Sequence, residues 1–464
     1  MNGVFEITNE CYARKPSINW LKAEIEITMK QDNPDQSSPS ENQIPIALVF
    51  PGDAAEASTN VGNDIALEKE AEKHPWFVFA ILCLLMGFAS ISTDLYLPAM
   101  PVMGRQLHAP PGTLEWTISS YLIGLSLGQL FWGPLGDKIG RRRPIVIGII
   151  LFTIGSAGCA LSTSIWAIIA WRIVQAVGAC ANVVLSRAMV RDLFEGHKAA
   201  KMLSNLMTVM AIAPLLGPLV GGQILAFAGW RVIFGFLVVV GVFTLIAMRW
   251  LPETLPSENR NHDSLLRAFR GYGELISRPE IRAYAWSGGF FYGGMFAYIA
   301  GTPFAYIDYY HVPAQTYGLL FALGIIGIMV TNTLNAKWVG KRGSISILKL
   351  GTSLAALSGI ILGVFVASKR GGLLGFLVPM LVFVSMTGFI VANSLAGAMA
   401  NFPKRAGSVS ALVGAVQYGS GIVGSALVGL FADGTPWPMA AVIAFSGMAS
   451  FLCARLLPSP ASRS

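Results

Sequence analysis

The chain has 464 residues, of which 54% are hydrophobic and only 12% charged, and its mean hydropathy is +0.59, so water is not its main solvent. The net charge of +8 divides unevenly: residues 1–75 carry 6 Lys+Arg against 13 Asp+Glu, and the remainder 27 against 12. Five cysteines and five histidines lie scattered without CxxC or HExxH spacing, which argues against a metal centre. The chain also lacks a GxxxxGK[ST] loop and a nucleophile elbow, which argues against ATP coupling and against an enzyme.

Residues 1–75 are polar and acidic and read as a disordered cytoplasmic tail without signal-peptide pattern. From Trp76 onward, apolar stretches long enough to cross a bilayer are predicted at 76–100, 113–134, 144–163, 166–188, 201–228, 230–251, 281–305, 315–338, 344–367, 371–398, 407–431 and 436–457. The expected class is an all-α integral membrane protein with twelve transmembrane helices. The longest connection, 252–280, is polar and divides the chain into six-helix halves at 76–251 and 281–457, with a short tail at 458–464.

With the N-terminus placed in the cytoplasm, the Lys and Arg residues from Trp76 onward fall 22 inside, 4 outside and 1 within a span. That asymmetry obeys the positive-inside rule, and it accounts for the basic excess without a nucleic acid. Ile139, Gly140, Arg141 and Arg142 after span two match Val339, Gly340, Lys341 and Arg342 after span eight at an offset of 200 residues. The equivalent positions indicate duplication, and paired, pseudo-symmetric six-helix halves are the architecture of major facilitator transporters.

Taken in chain order, the first chemical signal is Asp94, in Ser92-Thr93-Asp94-Leu95-Tyr96-Leu97-Pro98 of span one. The loop Gly133-Pro-Leu-Gly-Asp137-Lys-Ile-Gly140-Arg141-Arg142-Arg143 follows span two. Its glycines permit a tight turn, and Asp137 can pair with guanidinium groups in one conformation and release them in another, as a conformational switch requires.

Span four carries Arg172 and Gln175, and an intramembrane charge is a functional hypothesis by default. Asp94 and Arg172 each lie six residues from the outer end of their span, about 9 Å deep at 1.5 Å per residue, and so share one slab of the membrane. Burial disfavours a carboxylate and a guanidinium favours it, a balance that suits a proton carrier. The plainer alternative is a permanent ion pair tying the two spans together.

Span five holds Pro214, Gly217, Pro218, Gly221 and Gly222, where prolines kink a helix and glycines let a neighbour press close. Tyr96, Tyr121, Gln129, Gln175, Asn182, Phe290, Tyr298, Asn332 and Asn393 are candidate pocket residues, although aromatics and amides in spans more often serve packing.

Together, Ser92–Pro101, Gly133–Arg143, Arg172–Gly178, Arg187–Phe194, Ala213–Gly222, Gly301–Ile307 and Gln417–Trp437 resemble the Bcr/CflA group of drug efflux proteins in the major facilitator superfamily, over residues 76–457. The resemblance implies a monomeric drug/proton antiporter of a bacterial inner membrane with both termini cytoplasmic. Its partners are a drug-like small molecule, protons and the lipid bilayer, and it needs no cofactor or metal. The span-five glycines and prolines resemble the antiporter motif, which favours export over the alternative of nutrient uptake by proton symport. Where some multidrug relatives place a second acidic residue two turns before the span-one aspartate, this chain has Met86.

Overall fold

A computed structural model of the chain describes residues 75–194, 196–256, 258, 260, 273–400, 402 and 405–457. Residues 1–74 of the expected N-terminal tail, the C-terminal tail and residues 257, 259 and 261–272 of the connection between the halves lie outside the described residues.

Every crossing is helical, because in hydrocarbon the backbone must satisfy its own hydrogen bonds. In the first half the helices are α1 (Pro75–Asp94), α2 (Met100–Gln106), α3 (Glu115–Ile139), α4 (Arg142–Leu161), α5 (Ile165–Leu193), α6 (Gly196–Ala228) and α7 (Trp230–Ala247). The second half contributes α8 (Pro279–Pro303), α9 (Ala314–Arg342), α10 (Ser344–Ser368), α11 (Gly372–Ser385), α12 (Thr387–Ala400), α13 (Ala406–Leu430) and α14 (Trp437–Arg455). With α1–α2 and α11–α12 each counted as one crossing, these make twelve.

Among the described residues, nine spans satisfy length and hydropathy criteria by themselves. The other three are α3, α6 and α8. Polar or charged residues such as Glu115, Gln129, Asp137 and Lys138 lower the hydropathy of α3, while α8 carries Glu280, Arg282 and five glycines. α3 and α8 therefore depend on neighbours rather than lipid to cover their polar faces, while α6 has an apolar stretch at Ile212–Ala228.

The first span breaks after Asp94. Pro98 has no N–H to donate to the carbonyl four residues earlier, so the chain passes through a 3₁₀ turn at Leu97–Ala99 before α2 begins. α6 presses its glycines onto that break. A Cβ on Gly217 would lie 2.9 Å from the Cβ of Asp94, and one on Gly221 would overlap the carbonyl oxygen of Leu95. On its other side, a Cβ on Gly222 would lie 3.0 Å from the carbonyl oxygen of Ala314 in α9. The span-five motif is thus where one helix is clamped between a broken helix and the second half.

Gly221→Ala should therefore force α6 and α1 apart, costing about 1–3 kcal/mol, as overpacking does. Gly235→Ala in α7, where an added Cβ meets open space, is its control. We expect thermal unfolding of purified protein to show a lowered midpoint for the first variant alone. Equal midpoints would refute the clamp.

The halves meet along two helix pairs, α3 with α13 and α6 with α9. These are spans two with eleven and five with eight, so a shift of six spans carries one pair onto the other. The interface therefore has the pseudo-twofold symmetry expected of a duplicated chain.

Candidate functional site

Arg172 lies about two turns into α5 and is 0% exposed. Its Nη1 donates to the carbonyl of Ser92 at 2.8 Å and to Oε1 of Gln175 at 2.7 Å. The guanidinium carbon lies 4.4 Å from the ring centre of Tyr96 and 4.1 Å from that of Tyr121, so cation–π attraction from two rings holds it.

The surrounding groups are themselves anchored. Gln175 donates to Ser156 Oγ at 2.7 Å, and Tyr96 Oη pairs with Thr117 Oγ1 at 2.8 Å. Tyr121 Oη meets Ser92 Oγ at 2.5 Å. One side chain thereby ties α1, α3, α4 and α5 together. Yet its Nε and Nη2 are buried without a hydrogen-bond partner, which leaves donor capacity for an anion or water.

Asp94 is 5% exposed. It lies close enough to Arg172 to interact through charge, but its carboxylate makes no contact ion pair or hydrogen bond among the described residues. The direct Asp94–Arg172 pair envisaged from their common depth is therefore not formed in this conformation. Ser92, whose carbonyl faces Arg172, and Asp94 stand two residues apart, about 200° around a helix. Asp94 instead faces Gly217 of α6.

From the second half, Tyr298 stacks on Phe321 at 5.5 Å and is buried. Tyr298 and Tyr317 both lie within electrostatic reach of Asp94, and Tyr317 Oη pairs with Thr302 Oγ1 at 3.2 Å.

The structure gathers Tyr96, Tyr121 and Gln175 around Arg172 and brings Tyr298 toward Asp94, but it disperses the other pocket candidates. Asn393 donates to Asn335 Oδ1 at 2.6 Å and accepts from Ser344 Oγ at 2.7 Å, a tie between helices. Asn332 is exposed on α9, and Phe290 packs between Trp286 and Phe445. Gln129 lies against α13, where a Cβ on Gly414 would be 2.7 Å from its Oε1. Asn182, ten residues beyond Arg172, is fully buried with both amide atoms unpartnered. Sequence reasoning passed over Ser92, Thr117, Ser156 and Tyr317. Of these only Tyr317, a large polar-tipped aromatic in an apolar helix, carries a signal in the sequence itself.

The loop between α3 and α4 is a second organised site. Gly140 takes φ +93°, which suits glycine, and turns the chain so that Arg141 reaches back to Asp137 and donates through Nε to Asp192 Oδ2 at 2.8 Å. Burial alone would lower the Arg141 pKa, but Asp192 and Asp137 outweigh it and the pKa is raised. Glu253 accepts from the backbone N–H of Arg141 at 2.7 Å and of Arg142 at 3.1 Å, an acidic cap where the helix dipole favours one. Asp192 and Glu253 thus join Asp137 and Arg141 in one polar network.

The two faces of the molecule differ. On the face that bears the start of α3, Arg105 pairs with Asp308 at 3.0 Å, Ser119 with Ser425 at 2.7 Å, and Gly112 meets Gly429 backbone to backbone. These contacts join the halves. Toward the Arg141 face the approach of α3 to α13 can be followed to Gln129 and Gly414, but at Gly133, one turn on, an added Cβ would have nothing within 4 Å. Among the described residues, the polar and backbone contacts that join the halves lie on the face that bears the start of α3.

The four described cysteines are free, and no group of three or more His, Cys, Asp or Glu that could hold a metal occurs among the described residues.

Two pseudo-symmetric six-helix bundles around a buried charge, shut at one face, define the class of multi-pass secondary transporter. The family model described as Major Facilitator Superfamily matches residues 82–425, and the chain belongs to that superfamily. It is similar to the bicyclomycin resistance protein homolog of Haemophilus influenzae, 31% identical over 365 residues, covering 78% of this chain and 92% of the relative. It is also similar to the chloramphenicol resistance protein of Pseudomonas aeruginosa, 30% identical over 376 residues, covering 78% and 86%. Among solved structures, the xylose transporter of E. coli in a partially occluded inward open conformation matches with a TM-score of 0.65 at 14% identity, over 84% of this chain and 100% of that one. At that identity the likeness speaks for the fold. The chain is thus a transporter and not an enzyme.

Proposed function

We propose that the protein is a proton-coupled antiporter that exports drug-like small molecules across a bacterial inner membrane by alternating access. The observation that carries this reading is its kinship, over most of the length of each relative, with proteins named for resistance to two chemically different antibiotics.

The basic residues beside Arg141, Lys341 and Arg342 support a cytoplasmic assignment for that face, with both termini on it. The conformation is then inward-facing, closed outside by Arg105–Asp308 and Ser119–Ser425. Residues 76–251 and 281–457 are the two moving halves, 252–280 the cytoplasmic connection, and a monomer in lipid suffices without a cofactor. Asp94 carries the proton beside Arg172, and the Asp137–Arg141–Asp192–Glu253 network is the cytoplasmic switch. Gly217, Gly221 and their neighbours transmit motion of the α1 break to α9. Tyr96, Tyr121 and Tyr298 are the pocket residues best placed to meet substrate. Substrate enters from the cytoplasm, and an inward proton pulls the cycle round.

Expression in an efflux-deficient host should raise resistance to at least one compound of an antibiotic panel, and a protonophore should abolish the gain. Inverted vesicles should accumulate that compound when acidified inside. Accumulation in the opposite direction would replace export by uptake.

A further inference from the structure

Glu115, the first residue of α3, is a carboxyl that the transport scheme above does not use. It is 5% exposed, and its Oε2 is buried without a hydrogen-bond partner. It lines a cavity of about 240 Å³ on the outer face between the two halves, opposite Val428 and Ala432. The charged and titratable groups sharing that cavity are Arg105 and Asp308, which pair with each other at 3.0 Å, and Tyr309. The segment around α13 and the start of α14 adds only apolar side chains, the hydroxyl of Thr435 and backbone.

With the outer face closed, Glu115 is buried, and the one cation lining its cavity among the described residues, Arg105, is already paired with Asp308. Burying an ion alone is costly, and the positive end of α3 offsets only part of that cost. A neutral carboxylic acid avoids most of that penalty.

We infer that Glu115 is a second proton-binding group, seated on the outer gate, whose protonation by the external medium permits that gate to close. In the outward-open state the carboxylate faces water and takes a proton from it, forming the acid O–H. The gate then closes over the neutral acid, and on reopening the proton returns to the same side. The step moves no net charge across the membrane but makes closure depend on external pH. Because protonation favours the closed state, the closed fraction is greatest at low pH and falls as pH rises. The inference rests on the proposed alternating-access scheme but not on the assignment of Asp94.

The test places spin labels at His108→Cys and Asp433→Cys, two exposed outer positions on opposite halves, in a background with the five native cysteines replaced. Distances are read in lipid nanodiscs from about pH 5 to about pH 9, the window in which solvated and buried carboxyls exchange protons. The parent should shift from a short to a long distance as pH rises, Glu115→Asp should keep that shift, and Glu115→Gln should hold the short distance throughout. The shift should persist with Asp94→Asn. A Glu115→Gln protein that responds like the parent, a parent with no response, or a response lost with Asp94→Asn would each overturn the inference. The drug-panel assay tests the export reading separately.

Discussion

Asp94→Asn should leave the protein folded and inserted but unable to use a proton gradient. In proteoliposomes with an imposed pH difference, concentrative export should fall at least about tenfold, equivalent to about 1.4 kcal/mol of lost driving force or more. Exchange of substrate without a gradient should survive. An amide keeps the shape and packing against Gly217 but cannot release a proton, so the cycle can still turn without being coupled. Because no hydrogen bond among the described residues depends on the carboxylate, the thermal midpoint should barely change. Undiminished gradient-driven transport would remove Asp94 from the mechanism.

Arg172→Lys should be costly although it preserves the charge. The ammonium cannot reproduce a guanidinium that donates to Ser92 and Gln175 while lying between the faces of Tyr96 and Tyr121. Loss of a charged hydrogen bond and of two cation–π contacts amounts to about 2–4 kcal/mol. The variant should therefore unfold at a distinctly lower temperature, and its transport should fail as α1, α3, α4 and α5 lose their common anchor. An Arg172→Lys protein with the parent's midpoint and activity would show that Arg172 supplies charge alone.

The spans, their number and the duplication were legible because they depend on runs of twenty apolar residues and on where basic loops fall, both local properties of the chain. Arg172 was legible for the same reason: a cation two turns inside an apolar span stands out. What it touches was not. Its first acceptor is the carbonyl of Ser92, a backbone group that every residue possesses. Depth in the membrane can be counted along a helix, which put Asp94 and Arg172 in one layer, and the two do lie within electrostatic reach of each other. Rotation about the helix axis cannot be counted that way, so Asp94 proved to face α6. Asn393 shows a further limit, since an amide that ties Asn335 and Ser344 reads no differently from one that lines a pocket. Glu253 lies 112 positions from the Arg141 amide it caps, a distance over which only the folded chain makes a connection.

The two interface pairs, α3 with α13 and α6 with α9, have a mechanical consequence. Their contacts are lined by small groups such as Gly112, Gly222, Gly318, Gly414 and Gly429, so the halves bear on one another along two smooth rails. Bodies held on two such rails can roll over one another without coming apart. As in a seesaw, parting one end presses the other shut. Under the alternating access proposed above, an open pore through the membrane is then excluded by the shape of the bearing itself, without a separate part to guard against leakage.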